Sequence, residues 1–440
     1  MRKLWCVCFL SLIIAPIGAI ALDRQPNSDY HARREALAKK AGVVVLFAPL
    51  EGLDAVYGFR QENNFYYLSG MTTPGAGLVI APAVEAKGDT PARAYTEILF
   101  LPPRNLRAEQ YTGPQLGADD PDASKITGFD RVKDTGVLGE EVAKLLAHQR
   151  PVVHTDIASN GEISASSDVM AYLKHATAFI FFEDVKPMVA SLRVVKDAGE
   201  IGLLRKAVDT SMAAHTAAMR AMKPGMKEYE LSAVLQYEWV RRGCERPSYS
   251  PIVGAGHNST VLHYSENSNT MKVGDVVVID AAAECSMYAA DITRTLPANG
   301  RFTPRQKEIY DIVLGAQEAA AAAFQSGKSL LVGDSETSIN KVAKEYIATH
   351  GKDLHGKPLD QYFIHGLGHY IGMDVHDVGD YKVPLGPGMA FTIEPGIYIP
   401  EENIGVRIED DYLVDSDGKL IKLSAGLPSK AEDVEKAMGK

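Results

Sequence analysis

At 440 residues, with 46% hydrophobic and 23% charged side chains, the chain reads as a soluble globular protein of two domains rather than a disordered or membrane protein. A formal charge of −10 sets nucleic acid aside as a partner, because phosphate binding needs a basic face.

The first residues have the pattern of a cleavable export signal. Arg2 and Lys3 supply a short positive region, residues 4–17 are apolar, and Ala19-Ile20-Ala21 gives the small-x-small pattern of a cleavage site. A membrane-spanning helix needs roughly 20 apolar residues, and Pro16 and Gly18 interrupt this stretch further. The expectation is a signal peptide over residues 1–21 and a mature chain from Leu22, periplasmic or secreted and without membrane attachment after cleavage. Cys6 and Cys8 leave with that signal. The remaining Cys244 and Cys285 make no disulfide framework; pairing fits, and two unpaired buried thiols fit at least as well.

Residues 22–190 read as a mixed α/β domain. A short helix over 33–40 precedes a β-branched run at 42–48. Further strands are expected at 65–68, 77–80 and 96–101, the last stopped by Pro102-Pro103. Helices are expected at 139–147 and 167–175. Alternation of this kind predicts a mixed sheet with helices against it. The division from the second domain, residues 191–440, is placed between Met188 and Val195. That domain opens with a helix capped by Asp197 and running to Met222, broken by Lys223-Pro224-Gly225, then a second helix over 228–242. From Tyr249 strands and turns take over, interrupted by an Ala-rich helix over 304–324.

This second half holds acidic and imidazole side chains in contexts that need explaining. Asp280 stands in the middle of the apolar run from Val276 to Ala283, and an unpaired buried carboxylate costs several kcal/mol. Asp291 opens a second strand-like segment, and a turn near Cys285-Ser286-Met287 would bring the two carboxylates together. The plainer account makes Asp291 a turn cap and pairs Asp280 with Arg294. His365, His369 and His376 fall within one glycine-flanked stretch, where Gly366 and Gly368 argue against a regular helix and for close backbone approach. Glu394 ends an apolar strand before Pro395-Gly396, and Arg407 and Glu409 alternate onto one strand face. Four carboxylates and one imidazole form an oxygen-rich set suited to two divalent ions of the manganese, cobalt or zinc kind, the equipment of amide hydrolysis.

In order and local context, Asp280, Asp291, His369, Glu394 and Glu409 resemble the ligands of the pita-bread metallopeptidases, family M24, which include methionine aminopeptidase, aminopeptidase P and prolidase. The resemblance extends to the N-terminal domain. Residues 59–70, Phe-Arg-Gln-Glu-Asn-Asn-Phe-Tyr-Tyr-Leu-Ser-Gly, and 261–267, Val-Leu-His-Tyr-Ser-Glu-Asn, look like the aminopeptidase P versions of those segments. It implies an α/β fold with an aminopeptidase P-type N-terminal domain before a pita-bread catalytic domain. The implied activity is hydrolysis of the bond between an N-terminal residue and a following proline, by attack of a hydroxide that bridges two metal ions. Prolidase, acting on Xaa-Pro dipeptides, is the alternative, and a noncatalytic binding protein would predict a damaged ligand set. The resemblance also implies roles: Asp280 on one ion, Asp291 and Glu409 bridging, and His369 and Glu394 each completing one shell. Glu394 would shuttle the proton, with His263, His365 and His376 lining the site. Arg407 would orient carboxylates, and Tyr398 would stand near the site. Manganese is the foremost metal, with cobalt or zinc acceptable. Small peptides with proline second would be the substrates, and the assembly a homodimer or homotetramer.

Overall fold

A computed structural model describes residues 22–50, 58–88, 91–147, 152–157 and 180–439. The expected signal peptide and the helix expected over 167–175 lie outside the described residues.

The N-terminal half is built on a mixed six-stranded sheet of order β4-β3-β2-β1-β5-β6. Its strands are β1 (Val43–Phe47), β2 (Gly77–Ala81), β3 (Thr96–Leu101), β4 (Val132–Asp134), β5 (Val152–Thr155) and β6 (Phe181–Asp184). Strands β1, β2 and β3 pair antiparallel; β4, β5 and β6 join in parallel. The unbroken apolar runs Val-Val-Val-Leu and Leu-Val-Ile-Ala fit this, since the central strands are covered on both faces. Helix Asn27–Ala38 covers one face, beginning six residues before the sequence suggests, and helix Leu138–Leu146 covers the other. A Cβ at Gly77 would collide with Leu138, so the glycine sets how closely that helix sits.

One expected strand is a helix. Phe65, Tyr66, Tyr67 and Leu68 lie in helix Asn63–Ser69, where the Glu62 side chain accepts the Phe65 N–H at 2.7 Å and Gly70 closes the end at φ +64°. All seven residues are buried. Neither periodicity can therefore show, and the aromatic β preference yields to the two caps.

In the second half, Asp197 caps helix Ala198–Ala221 in a reciprocal box with Glu200, and helix Glu228–Arg241 follows the break at 223–225. Helix Pro304–Ala323 carries proline in its first turn and a Thr303–Gln306 box. It packs against helix Ile339–His350, which the sequence reading did not single out. Around these lie four small antiparallel sheets. β8 (Ile252–Ala255), β9 (Val276–Asp280) and β12 (Thr293–Pro297) form one, with β9 central. β13 (Ala390–Ile393), β16 (Asp410–Val414) and β17 (Leu420–Lys422) form another. β14 (Gly396–Ile399) pairs with β15 (Ile404–Arg407), and β10 (Ala283–Cys285) lies between β7 (Arg246–Pro247) and β11 (Tyr288–Ala289).

The β10–β11 turn falls where the sequence places it, with Ser286 and Met287 both at positive φ. Cys285 is joined to Cys244, their Cα atoms 4.4 Å apart, so the pairing the sequence left open is made. Arg294 does not pair with Asp280. It is fully buried and donates to Asp410 at 2.7 Å and to the carbonyls of Thr293, Glu409 and Pro428. Among the described residues no helix is long and apolar enough to cross a membrane.

Candidate metal centre

Strand register brings the acidic residues together. β9 and β12 pair with Thr293 opposite Asp280, which carries Asp291, two residues upstream, to the same end. Thr293 also bridges to Glu409, in the gap between β15 and β16. From the other side the Thr392 N–H donates to the His369 carbonyl and the Glu394 N–H to that of Leu367, which fixes His369 and Glu394 side by side. A Cβ at Gly368 would run into the Thr392 carbonyl, so this glycine permits the close approach expected of it. At Gly366 there is room for a side chain, and no such need exists.

The result is a cleft of about 590 Å³ whose floor carries Asp280, Asp291, His369, Glu394 and Glu409 and whose walls include Leu262, His263, Val375, His376 and Tyr381. His369 Nε2 lies 3.3 Å from Asp291 and 3.4 Å from Glu394. Single donor atoms of Asp291, His369 and Glu409 lie within 4.8 Å of one another. His365 contacts the Tyr398 hydroxyl through Nε2 at 2.9 Å, and His376 stacks on His369 with centroids 3.9 Å apart. His263 stands exposed at the lip.

Among the described residues, Arg407 is the one guanidinium on the cleft lining. It donates to Asp280 at 2.6 Å, to the Tyr398 hydroxyl at 2.8 Å and to Thr293 at 3.3 Å. Thr293 in turn donates to Glu409 at 2.6 Å. The surface Arg–Glu pair that a simple hairpin would give is absent; both side chains are buried and Arg407 serves Asp280 instead.

Sequence reasoning missed two groups. The Tyr249 hydroxyl lies at hydrogen-bond distance from both Asp280 and Asp291. Asp411, fully buried, accepts the Asp291 backbone N–H at 3.0 Å. A lone tyrosine between serines carries no pattern. Asp411 was legible only as part of the Glu409-Asp410-Asp411 run.

Charge in this cleft is out of balance. Burial, compounded by neighbouring carboxylates, raises the pKa of Asp291 and Glu409 and pushes Glu394 up to about 8. Burial lowers His369, but Asp291 and Glu394 outweigh it and lift the imidazole to about 9. His365 is pushed down to about 4, chiefly by burial, and stays neutral. One oxygen of Glu409 is buried with no hydrogen-bond partner among the described residues, a state costing about 1–3 kcal/mol. His369 Nδ1 faces the Tyr370 carbonyl at 3.1 Å, so the proton on Nε2, directed at Asp291 and Glu394, is the one a metal ion would displace. Hard, converging, under-neutralised oxygen donors with one imidazole fit divalent cations.

The catalytic half, residues 202–416, matches the model of metallopeptidase family M24, and residues 30–154 match the aminopeptidase P N-terminal domain. Xaa-Pro aminopeptidase of Escherichia coli is 35% identical over 445 residues, covering 94% of this chain and 98% of its own. The chain belongs to metallopeptidase family M24. Human Xaa-Pro aminopeptidase 3 is also 35% identical, over 89% of this chain and 80% of its own. Among solved structures, proline aminopeptidase P II from Yersinia pestis superposes with a TM-score of 0.80 at 32% identity, covering 94% of this chain and all of that one. Zinc-substituted E. coli aminopeptidase P in complex with product gives 0.81 at 32%, over 94% and 99% of the two chains. The fold is therefore the two-domain aminopeptidase P fold, a pita-bread domain behind an α/β domain.

Proposed function

We propose that this chain is an Xaa-Pro aminopeptidase, releasing the N-terminal residue from peptides with proline in second position. The observation that carries the reading is the convergence of Asp280, Asp291, His369, Glu394 and Glu409 on one cleft. It occurs in a chain similar over nearly its whole length to Xaa-Pro aminopeptidases.

Those five side chains would hold two divalent ions, manganese foremost. Bound there, the ions supply the positive charge that acidifies a water and polarises the scissile carbonyl. The chain's own groups do the rest. Glu394, on the cleft floor beside His369 at 3.4 Å, would take the proton of the attacking water and return it to the departing proline nitrogen. His376 on the cleft wall would offer an N–H to the oxygen that gains charge, while neutral His365, its Nδ1–H given to the Gly366 carbonyl at 2.8 Å and its Nε2 accepting from the Tyr398 hydroxyl at 2.9 Å, lines the cleft. Arg407 holds Asp280 in place and keeps the Tyr398 hydroxyl aimed. A penultimate proline lacks an amide N–H, so the site need not satisfy that donor.

Export also belongs to this reading: signal removal after Ala21, a mature chain from Leu22, and action in the periplasm or outside the cell. The Cys244–Cys285 disulfide favours an oxidising compartment.

The test loads the chain from Leu22 with Mn²⁺ and follows release of alanine from Ala-Pro-Ala and from Ala-Pro, with and without EDTA. Chelator-sensitive cleavage of the tripeptide, with the dipeptide slow, is expected. Preference for the dipeptide would instead make the chain a prolidase, and no cleavage of either by metal-loaded protein would refute both.

A further inference from the structure

His376, like the other cleft imidazoles His263, His365 and His369, is carried on a loop rather than a strand. Between Tyr370 and Asp377 the chain leaves the sheet, turns, and returns with the Asp377 N–H donating to the Tyr370 carbonyl at 2.8 Å. A ring that must meet a peptide within a few tenths of an ångström needs its loop held from elsewhere.

Three cations hold it. Arg193, at the end of helix Lys186–Arg193, donates through Nη2 to Asp377 and to Asp374, the latter at 3.1 Å. Lys196 reaches the second oxygen of Asp377 at 2.8 Å. Side-chain exposures of 4% for Arg193, 1% for Lys196 and 1% for Asp377 make this a dry cluster, and the two cations hold the Asp377 carboxyl below its usual range against burial. Both cations come from the segment that joins the two halves of the molecule. Arg60 arrives from the N-terminal domain and donates to the Met373 carbonyl at 2.8 Å, while its Nε straddles both oxygens of Glu284 at 2.9 Å. Arg193 is itself fixed by Asn64 of the same domain, at 2.9 Å. A last tie, the Ala289 N–H to the Gly372 carbonyl at 2.8 Å, anchors the loop to β11.

We propose that Arg60, Arg193 and Lys196 are positioning residues for hydrolysis, forming a latch through which the N-terminal domain sets the place of the His376 ring. The proposal rests on the aminopeptidase reading for its activity readout, but not for its structural one. None of the three is among the residues that line the cleft. Their route to the chemistry runs through the carboxylates of Asp374 and Asp377 and the Met373 carbonyl.

The test is a double-mutant cycle of Arg193→Met against His376→Ala, with Arg60→Gln as a second, half-exposed latch member should the first variant fold poorly. On the wild-type background each latch variant should lower kcat/KM on Ala-Pro-Ala about ten- to a hundredfold, the scale of a displaced positioning group. On the His376→Ala background the same variant should change it less than about twofold, because the group it places is gone. Equal losses on both backgrounds would overturn the latch, and so would no loss on either. Amide hydrogen exchange of residues 370–378 gives a second readout independent of turnover. Exchange should quicken in the latch variants while residues 276–280 keep their protection, and unchanged exchange would overturn the proposal even in a chain that cleaved no peptide. Wild-type protein without activity, but with the faster loop exchange in its variants, would instead fail the functional reading and leave the latch standing.

Discussion

Removing metal should make this protein lose stability as pH rises through neutrality, and the size of the loss follows from two groups in the cleft. Glu394 titrates near 8 in the folded chain against 4.5 as a free side chain, and His369 near 9 against 6.5. Both folded-state values are raised, so over the interval between each pair of values the folded chain binds protons that the unfolded chain has released. Stability then falls with pH, by about 1.4 kcal/mol per unit for each such proton. Between pH 6.5 and 8 both groups act in the same direction. They stand 3.4 Å apart and hold one to two protons between them, which gives a loss of about 2–4 kcal/mol. Unfolding entropy near 2.1 cal/mol/K per residue, over roughly 400 residues, converts this to a fall in Tm of about 2–5 °C. The assay is thermal unfolding of EDTA-treated protein at pH 6.5 and 8.0, repeated with saturating Mn²⁺. A cation replaces the protons, so the metal-loaded protein should lose most of that slope and gain stability at pH 8. An EDTA-treated chain with equal Tm at both values would show that these carboxylates are not held close under like charge. A slope untouched by metal would show that no cation binds among them.

Arg407→Met should cost about 3–5 kcal/mol in the metal-free protein, the scale for leaving a buried charge without its partner, and denaturant titration measures it. Tyr249→Phe takes away the hydroxyl shared by Asp280 and Asp291, and should weaken metal binding about ten- to a hundredfold in competition with a chromophoric chelator while the fold stays intact. Cys244→Ser opens a 41-residue loop and should lower stability by about 4 kcal/mol on the chain-entropy account, a loss that reduced wild-type protein should reproduce. Mass spectrometry of the chain expressed with its first 21 residues and recovered from the periplasm should give an N-terminus at Leu22, and a full-length mass would refute the processing expected of it.

What the sequence made legible divides by the range of the interaction. Asp197 and the break at 223–225 act within a turn of chain, and the helices they bound stand where local chemistry puts them. β9 and β13 were readable as apolar runs, one interrupted and one ended by a carboxylate, a contradiction only a shared site resolves. Helix Asn63–Ser69 was not readable, because burial on every side erases periodicity and two capping contacts decide against aromatic preference. Tyr249, Asp411 and the cysteine pair are products of tertiary proximity, and Arg294 chose Asp410 over Asp280 for the same reason: strand order, not sequence distance, sets which charges meet.

Gly372 makes the loop beneath His376 a constraint on sequence drift as well as on shape. A Cβ there would run into the Asp377 carboxylate and come within 2.8 Å of the Lys196 side chain. Three positions outside the cleft lining, two on one loop and the third 181 residues before Asp377, are thus bound into one mutational unit. Single replacements at any of them meet a clash or an orphaned charge, and only joint changes keep the loop in register. A saturation library scored for peptide cleavage would find position 372 nearly as intolerant as the carboxylates.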